Sequence, residues 1–374
     1  MTTRVALLVD SPSKRAHGNA ASRLALGLVE TGHDVDLVCY SDDPPLDWLP
    51  PQVRIQRLGV DRISRAVGPL VHYLRREQPD VLITRQVHAN FVGLAASWVA
   101  RGGSRGWRGR LVLVQDHPLE LSHASNRRDN KWVAKLSYRF ADGLICPSPA
   151  VRANTIAWCG LDPSTVAVVP NPMPLFTGTL PAPPHPWLRD GEPPVFVNTS
   201  NMTYWKRLDL LIEAFAAVHR DHDARLLIVG EGPGKAQAEE QIRQLGLDAV
   251  VETVGWVEDP LEYAAHAWAF VLPSDEEGFA QVLTEAMSVG CPVITTDAQG
   301  GGPRFVTLDG THGLLVPRAD VGALAAAMAR MLQPEVRAQF SLLGRERVEA
   351  LSPKASAGAL TEFLDRRLGV VASA

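Results

Sequence analysis

Two glutamates, two adjacent cations and a set of backbone amides are the groups in this sequence best suited to chemistry. Pro273 to Pro292 reads PSDEEGFAQVLTEAMSVGCP. Asp275, Glu276 and Glu277 stand together before Gly278, and Glu285 follows Glu277 with seven residues between them. The apolar run 268–272 precedes the acids, and residues 279–287 have helical character, so the order is strand, acidic turn, helix start. That order puts backbone N–H groups at the carboxyl edge of a parallel sheet, where α/β proteins bind ligands and helix starts attract phosphate. Carboxylates at the same edge repel phosphate. Amide donors beside acids therefore suit a ligand carrying both phosphate and hydroxyl groups, such as a nucleotide sugar. An ordinary surface loop running into a helix is the competing reading of the glutamates alone.

The cations are Lys206 and Arg207. They precede Leu208, Leu211, Ile212 and Phe215, which recur at the spacing of an amphipathic helix. Cations in a first helical turn oppose the helix dipole, so two together need a reason. A bound diphosphate supplies one, with helix amides and side chains acting together. The run Gly230-Glu-Gly-Pro-Gly234 ends another strand pattern. Read alone it is a weak dinucleotide fingerprint, because Pro233 falls inside it and the third glycine of G-x-G-x-x-G is missing.

The E-x7-E spacing, set within EGFAQVLTEAMSVGCPVI and flanked by Pro273-Ser274, resembles the signature of retaining glycosyltransferases of the GT-B fold, family 4. The resemblance covers nearly the whole chain, most strongly over 225–320 and weakly before 110. It implies an α/β protein of two Rossmann-like domains facing a cleft, with a C-terminal helix returning to the first domain. The expected divisions are an acceptor domain over 1–172 with a returning helix over 353–374, a stiff proline-rich linker over 173–194, and a donor domain over 195–352.

Carried residue by residue, the resemblance gives Glu277 the donor sugar's hydroxyls, with the amides of Gly278, Phe279 and Ala280 nearby. It gives Glu285 the ribose hydroxyls. Lys206 and Arg207 offset the diphosphate, and the Gly300–Gly302 amides line the sugar pocket. Gly230 lies beside the donor, and Val257 meets the base through backbone groups. His117, in Asp116-His117-Pro118 at a strand end, contacts the sugar, with His88 a weaker second candidate. Gly18 belongs to the loop after the first strand. Three places depart from the pattern. Ser200 and Asn201 stand where an arginine is usual, Phe305 where an acid is usual, and His17-Gly18-Asn19 where two glycines are common.

Composition bounds these expectations. The chain has 374 residues, enough for two domains, and is 46% hydrophobic. Four scattered cysteines (Cys39, Cys146, Cys159, Cys291) carry no metal-ligand spacing and no disulfide framework. Asp34-Val35-Asp36 is a literal D-x-D, a metal motif in another glycosyltransferase class. Here it falls at a strand start, where alternation would turn both acids to solvent, so no metal and no cofactor are expected. No apolar run is long enough to cross a membrane. The N-terminus lacks a small-residue cleavage site, so a cytoplasmic protein is expected.

Residues 1–170 carry 21 Lys and Arg against 15 Asp and Glu, and the remainder 16 against 26. A basic first half suits an acidic acceptor or an anionic membrane face. Residues 101–110 and 126–139 combine Arg and Lys with Trp and Tyr, which suits peripheral membrane contact; a solvated helix with one buried Trp suits them too.

The expected function is metal-independent, retaining transfer of a sugar from a UDP- or GDP-sugar to a glycan, lipid-linked or small-molecule acceptor. In look-alike enzymes the usual proposal is same-face attack assisted by the leaving phosphate. A sugar phosphorylase, a nucleotide-sugar epimerase or a non-catalytic nucleotide-sugar binding protein are the alternatives. No nucleic-acid partner is expected.

Overall fold

The computed structural model describes residues 2–11, 16–40, 47–104, 106–121 and 128–369. The chain forms two compact units, Met1–Met173 with Leu351–Ala374, and Pro174–Ala350.

Among the described residues of the first unit, seven strands form one parallel sheet. They are β1 (Arg4–Val9), β2 (Asp34–Cys39), β3 (Arg54–Arg57), β4 (Val81–Arg85), β5 (Arg110–Val114), β6 (Gly143–Cys146) and β7 (Val166–Val168). Their order is β3-β2-β1-β4-β5-β6-β7, so the direction of winding reverses between β1 and β4. The central strands are nearly continuous Val, Leu and Ile because helices cover both faces. On one face lie helices Val67–Glu77, Val87–Arg101, Arg128–Ser137 and Pro149–Cys159, which bury Leu70, Val92, Ala134 and Val151. On the other lie helix Ala16–Glu30 and the returning helix Pro353–Phe363, which bury Leu28, Leu360 and Phe363. Ser352 caps the returning helix by accepting from the Ala355 N–H at 3.3 Å, with Pro353 at its first position.

The D-x-D pair corrects one expectation. Asp34 is exposed, but Asp36 is fully buried. Its carboxylate accepts from Arg4 at 2.9 Å, Arg54 at 2.7 Å and the Tyr73 hydroxyl at 2.5 Å. Alternation fails because β2 lies between β1 and β3 and is covered on both faces. Burial, followed by the hydrogen bond to Asp36, pushes the Tyr73 hydroxyl's pKa well above its usual range. Asp36 thus ties β1, β2, β3 and helix Val67–Glu77 together. Asp36→Ala leaves the buried Tyr73 hydroxyl without its acceptor and Arg4 with Glu77 alone, and is expected to cost about 3–5 kcal/mol, read from the urea midpoint of the first unit.

In the second unit, six described strands form a second parallel sheet. They are β8 (Val195–Thr199), β9 (Arg225–Val229), β10 (Val251–Gly255), β11 (Ala269–Leu272), β12 (Val293–Thr296) and β13 (Leu314–Val316). Their order is β10-β9-β8-β11-β12-β13, with the reversal between β8 and β11. Helices Leu208–His219 and Val321–Met331 pack on one face around Phe196, Phe215 and Met328. Each such side chain removed from water contributes about 1.5–3 kcal/mol. The rings of Phe196 and Phe215 meet edge to face at 6.5 Å.

The proline-rich stretch expected as a linker packs on this second unit from Pro174 onward. Phe176 N–H donates to Ser288 O at 3.2 Å, and His266 Nε2 lies 2.8 Å from Pro181 O. Arg225 stacks on Trp187 at 5.0 Å and pairs with Glu192 at 2.8 Å.

Candidate active site

The second sheet reverses direction between β8 and β11, and the chain leaving each of these strands builds one site. After β8 the chain runs through Ser200–Thr203 into a 3-10 turn, Tyr204–Lys206, and then helix Leu208–His219. After β11 it runs through the acidic turn into helix Gln281–Ser288. Backbone bonds lace the acidic turn to its surroundings. Asp275 N–H donates to Trp205 O at 2.8 Å, Glu277 N–H to Gln299 O at 2.8 Å, and Gln299 N–H to Asp275 O at 2.8 Å.

This lacing brings Lys206 onto Glu277. Nζ lies 2.6 Å from Oε1, and the side chains are only 15% and 10% exposed. Two charges this deep hold together because each is the other's chief compensation for lost water. Arg207 goes elsewhere. Its guanidinium donates to Asp209 at 3.0 and 2.9 Å and to Asp275 at 3.1 Å. The bond to Asp209, reinforced by Asp275, raises its already high pKa further. Arg207 and Asp275 line a hollow of about 340 Å³ with Tyr204, Gln237 and Gln241, to which neither Lys206 nor Glu277 contributes.

The expected division of labour therefore changes. Lys206 and Glu277, expected as a free cation and a free acid, meet each other. Arg207, expected beside Lys206 on a diphosphate, is held between two carboxylates. Its backbone is left-handed at φ 51°, which turns its side chain away from that of the preceding lysine. Asp209, one helical residue on, was missed; a D two residues after the arginine was its only sequence signal.

The helix starts at Gln281, two residues after the expected 279. Ala280 is the N-terminal cap residue, left-handed at φ 63°, and no side chain caps the helix behind it. Alanine carries the Cβ that makes this conformation costly, so the strain is held in place by the surrounding turn. Gly278 and Phe279 complete the turn. Gly302 crosses so close that an added Cβ would lie 2.7 Å from the Phe279 backbone. Phe305, at the position where an acid was expected, packs on Phe279 at 6.2 Å and under the Arg347 guanidinium at 5.0 Å. Glu285 stands half-buried on the second turn of helix Gln281–Ser288, with Gln281 Nε2 3.4 Å from Oε1.

The glycine run after β9 has a packing role. Gly230 has φ 127°, and a Cβ there would lie 1.9 Å from Ser200 O; at Gly232 it would lie 1.9 Å from Asn201 O. Only glycine lets the two loops touch, and the loop so pressed is the one that delivers Lys206. Gly230 N–H also donates to Gly255 O at 2.7 Å. That bond draws in the loop of exposed Trp256 and half-buried Val257.

In the first unit, His117 is half-buried just past the carboxyl end of β5. Its carbonyl accepts from Gln115 Nε2 at 2.6 Å, and Tyr138 OH donates to Gln115 Oε1 at 2.7 Å. Asp116 pairs with Arg85 at 2.5 and 2.9 Å, and Arg85 also reaches Asn171 at 2.7 Å. His88 is exposed in helix Val87–Arg101. Gly18 falls in helix Ala16–Glu30, and residues 12–15 of its loop lie outside the described residues. Among the described residues no group of three or more His, Cys, Asp or Glu is arranged to hold a metal ion.

Comparison with known proteins gives two family matches. Residues 18–175 match the model described as glycosyltransferase family 4, and residues 193–334 the model described as glycosyl transferases group 1. A lipopolysaccharide core biosynthesis glycosyltransferase of Rhizobium meliloti is 25% identical over 74% of this chain and 72% of its own length. An exopolysaccharide phosphotransferase of Streptomyces coelicolor is 39% identical over 35% of this chain, a match spanning only 14% of that protein. The crystal structure of an Anabaena protein in complex with UDP and glucose superposes with a TM-score of 0.79 at 19% identity, covering 97% of this chain and all of that one.

Proposed function

The chain is a GT-B glycosyltransferase related to family 4, and from that premise we propose that it moves a sugar from a nucleotide-sugar donor held by the second unit to a glycan, lipid-linked or small-molecule acceptor, with retention and without a metal. The observation that carries the reading is the Lys206–Glu277 pair at the carboxyl edge where the second sheet reverses. On donor binding, Lys206 turns its charge to the diphosphate. Glu277, with two oxygens, keeps acceptor capacity for sugar hydroxyls. The amides of Gly278, Phe279 and Ala280 add donors at an uncapped helix start. Arg207 is engaged by Asp209 and Asp275, whose two carboxylates offset its charge, so Lys206 is the cation this reading turns to the phosphate. Glu285 takes the ribose, Gly230 lies beside the donor, Val257 meets the base, and Gly18 and His117 are the first unit's candidate residues.

The acceptor oxygen bonds to the anomeric carbon as the bond to the diphosphate oxygen breaks. The acceptor's proton passes to the departing phosphate, whose growing charge Lys206 offsets. A cation turned to the diphosphate on binding stabilises that charge with no further reorganisation at the moment of reaction.

The UDP and glucose of the Anabaena complex make a UDP-hexose the first donor to test. The Rhizobium relative supports a lipid-borne glycan acceptor. No described helix is long and apolar enough to cross a membrane; the reading places the protein in the cytoplasm, in peripheral contact with the membrane's inner face. A thermal-shift screen of UDP-, GDP- and ADP-sugars is expected to show stabilisation by one base class, through mass action. Nucleoside diphosphate should then accumulate from that donor in EDTA without added orthophosphate. Activity that disappears in EDTA and returns with a divalent ion would refute the metal-free reading. Dependence on orthophosphate would point to a phosphorylase.

A further inference from the structure

We propose that the outward faces of helices Val87–Arg101 and Arg128–Ser137 in the first unit form one docking face for an anionic lipid bilayer. This deepens the membrane-contact part of the function proposed above and rests on it.

The two helices pack side by side on the same face of the sheet. Their inward residues, among them Val92, Ala96 and Ala134, enter the core. The opposite faces of such helices ordinarily carry charge. Here they carry Phe91 and Trp98, seven residues apart and so about 10 Å apart along one face, and Trp132 and Leu136, four apart. Phe140 follows in the 3-10 turn Tyr138–Phe140. Trp98 is 82% exposed, and each of the other four is more than half exposed. Large apolar side chains left exposed on two neighbouring helices mark an interaction site.

The charges select the partner. Residues 87–101 and 128–141 contain one acid, Asp129, against Arg101, Arg128, Lys131, Lys135 and Arg139. Arg101 is tied to Asp142 at 2.5 Å. Lys135 Nζ lies over the rings of Trp132 at 5.3 Å and Trp158 at 5.7 Å, so a cation stands directly on the aromatic surface. An apolar centre rimmed by cations matches acyl chains beneath anionic headgroups. A second copy of this chain, docked about a two-fold axis, would set the same cations against each other.

The face differs from the one composition suggested. Trp107, in the basic stretch 101–110, is 2% exposed; its Nε1 donates to Pro79 O at 2.7 Å, and Arg101 stacks on its ring at 5.3 Å. Tyr138, in the stretch 126–139, is buried. Of the second stretch, residues 126 and 127 lie outside the described residues.

The test is co-sedimentation of the full chain with vesicles of phosphatidylcholine, with and without phosphatidylglycerol. Wild type is expected to bind the phosphatidylglycerol vesicles. The double variant Trp98→Ser/Trp132→Ser is expected to bind about 10-fold or more weakly, and Lys131→Gln/Lys135→Gln to lose the preference for phosphatidylglycerol. Thermal stabilisation by the donor is measured on the same samples and should be unchanged in both variants. Wild type that ignores both vesicles, or a tryptophan variant that binds like wild type, overturns the docking face. A dimer in sedimentation velocity that the tryptophan substitutions break, with no vesicle binding, assigns the face to a second copy and also overturns it. Vesicle binding in a protein that no nucleotide sugar stabilises leaves the docking face standing and refutes the donor reading instead.

Discussion

Glu277→Gln is expected to lower kcat about 10²–10³-fold, with a much smaller change in the donor's KM. The substitution keeps side-chain length and one oxygen acceptor for Lys206, 2.6 Å away in the wild type. What it removes is the negative charge and half the acceptor capacity in a site where the carboxylate is only 10% exposed. The backbone around it should hold, because the turn is laced through main-chain bonds from Asp275 to Trp205 and from Glu277 to Gln299, which the substitution does not touch. A loss confined to kcat identifies an interaction made in the transition state, as sugar hydroxyls tighten on the carboxylate while the anomeric carbon gains positive character. Steady-state rates of nucleoside diphosphate release across donor concentrations make the check. A variant with wild-type kcat would place the sugar elsewhere.

Lys206→Met is expected to be at least as damaging, through a different parameter. Methionine keeps an unbranched stem and discards the charge, so the diphosphate loses its nearest cation in the ground state and the transition state alike. Both kcat and donor affinity should fall, with kcat/KM down about 10²–10³-fold. The variant also leaves Glu277 in a dry position without its partner, at a stability cost of about 3–5 kcal/mol. Donor-free unfolding curves measure that cost separately. Because the two side chains act as a unit, the double variant Glu277→Gln/Lys206→Met should lose little more than the worse single variant. Strict additivity of the two losses would show that they do not share a ligand.

The sequence made the strands legible because buried parallel strands are nearly unbroken apolar runs, as in Ala269–Leu272. It made the helix start at Gln281 legible because the E-x7-E segment has matching flanks. Pairings between distant residues were not legible. Lys206 and Glu277 are 71 positions apart, and only the bonds joining the two loops bring them within 2.6 Å. Arg207 reads as a twin of Lys206 until its left-handed backbone turns it toward Asp209 and Asp275. Asp36 follows strand alternation on paper, but a strand covered on both faces has no solvent side. The glycines of 230–234 resembled a cofactor loop, whereas their contact is with the chain's own 200–202 backbone. Trp98 stood in a helix of mostly small residues with no acid or base beside it, so nothing in its neighbourhood drew attention to its outward face. Each miss comes from tertiary context overriding a local pattern.

Glu277, held by Lys206, is proposed as the donor sugar's clamp in a reaction that needs no metal. That role is tested most directly by nucleoside diphosphate release in EDTA from the sugar nucleotide that stabilises the protein, comparing wild type with Glu277→Gln at saturating donor. Wild type should release nucleoside diphosphate steadily, unchanged on adding magnesium, and the variant about 10²–10³-fold more slowly, with donor still bound. Equal release by the two proteins, or release by wild type only after a divalent ion is restored, would contradict it.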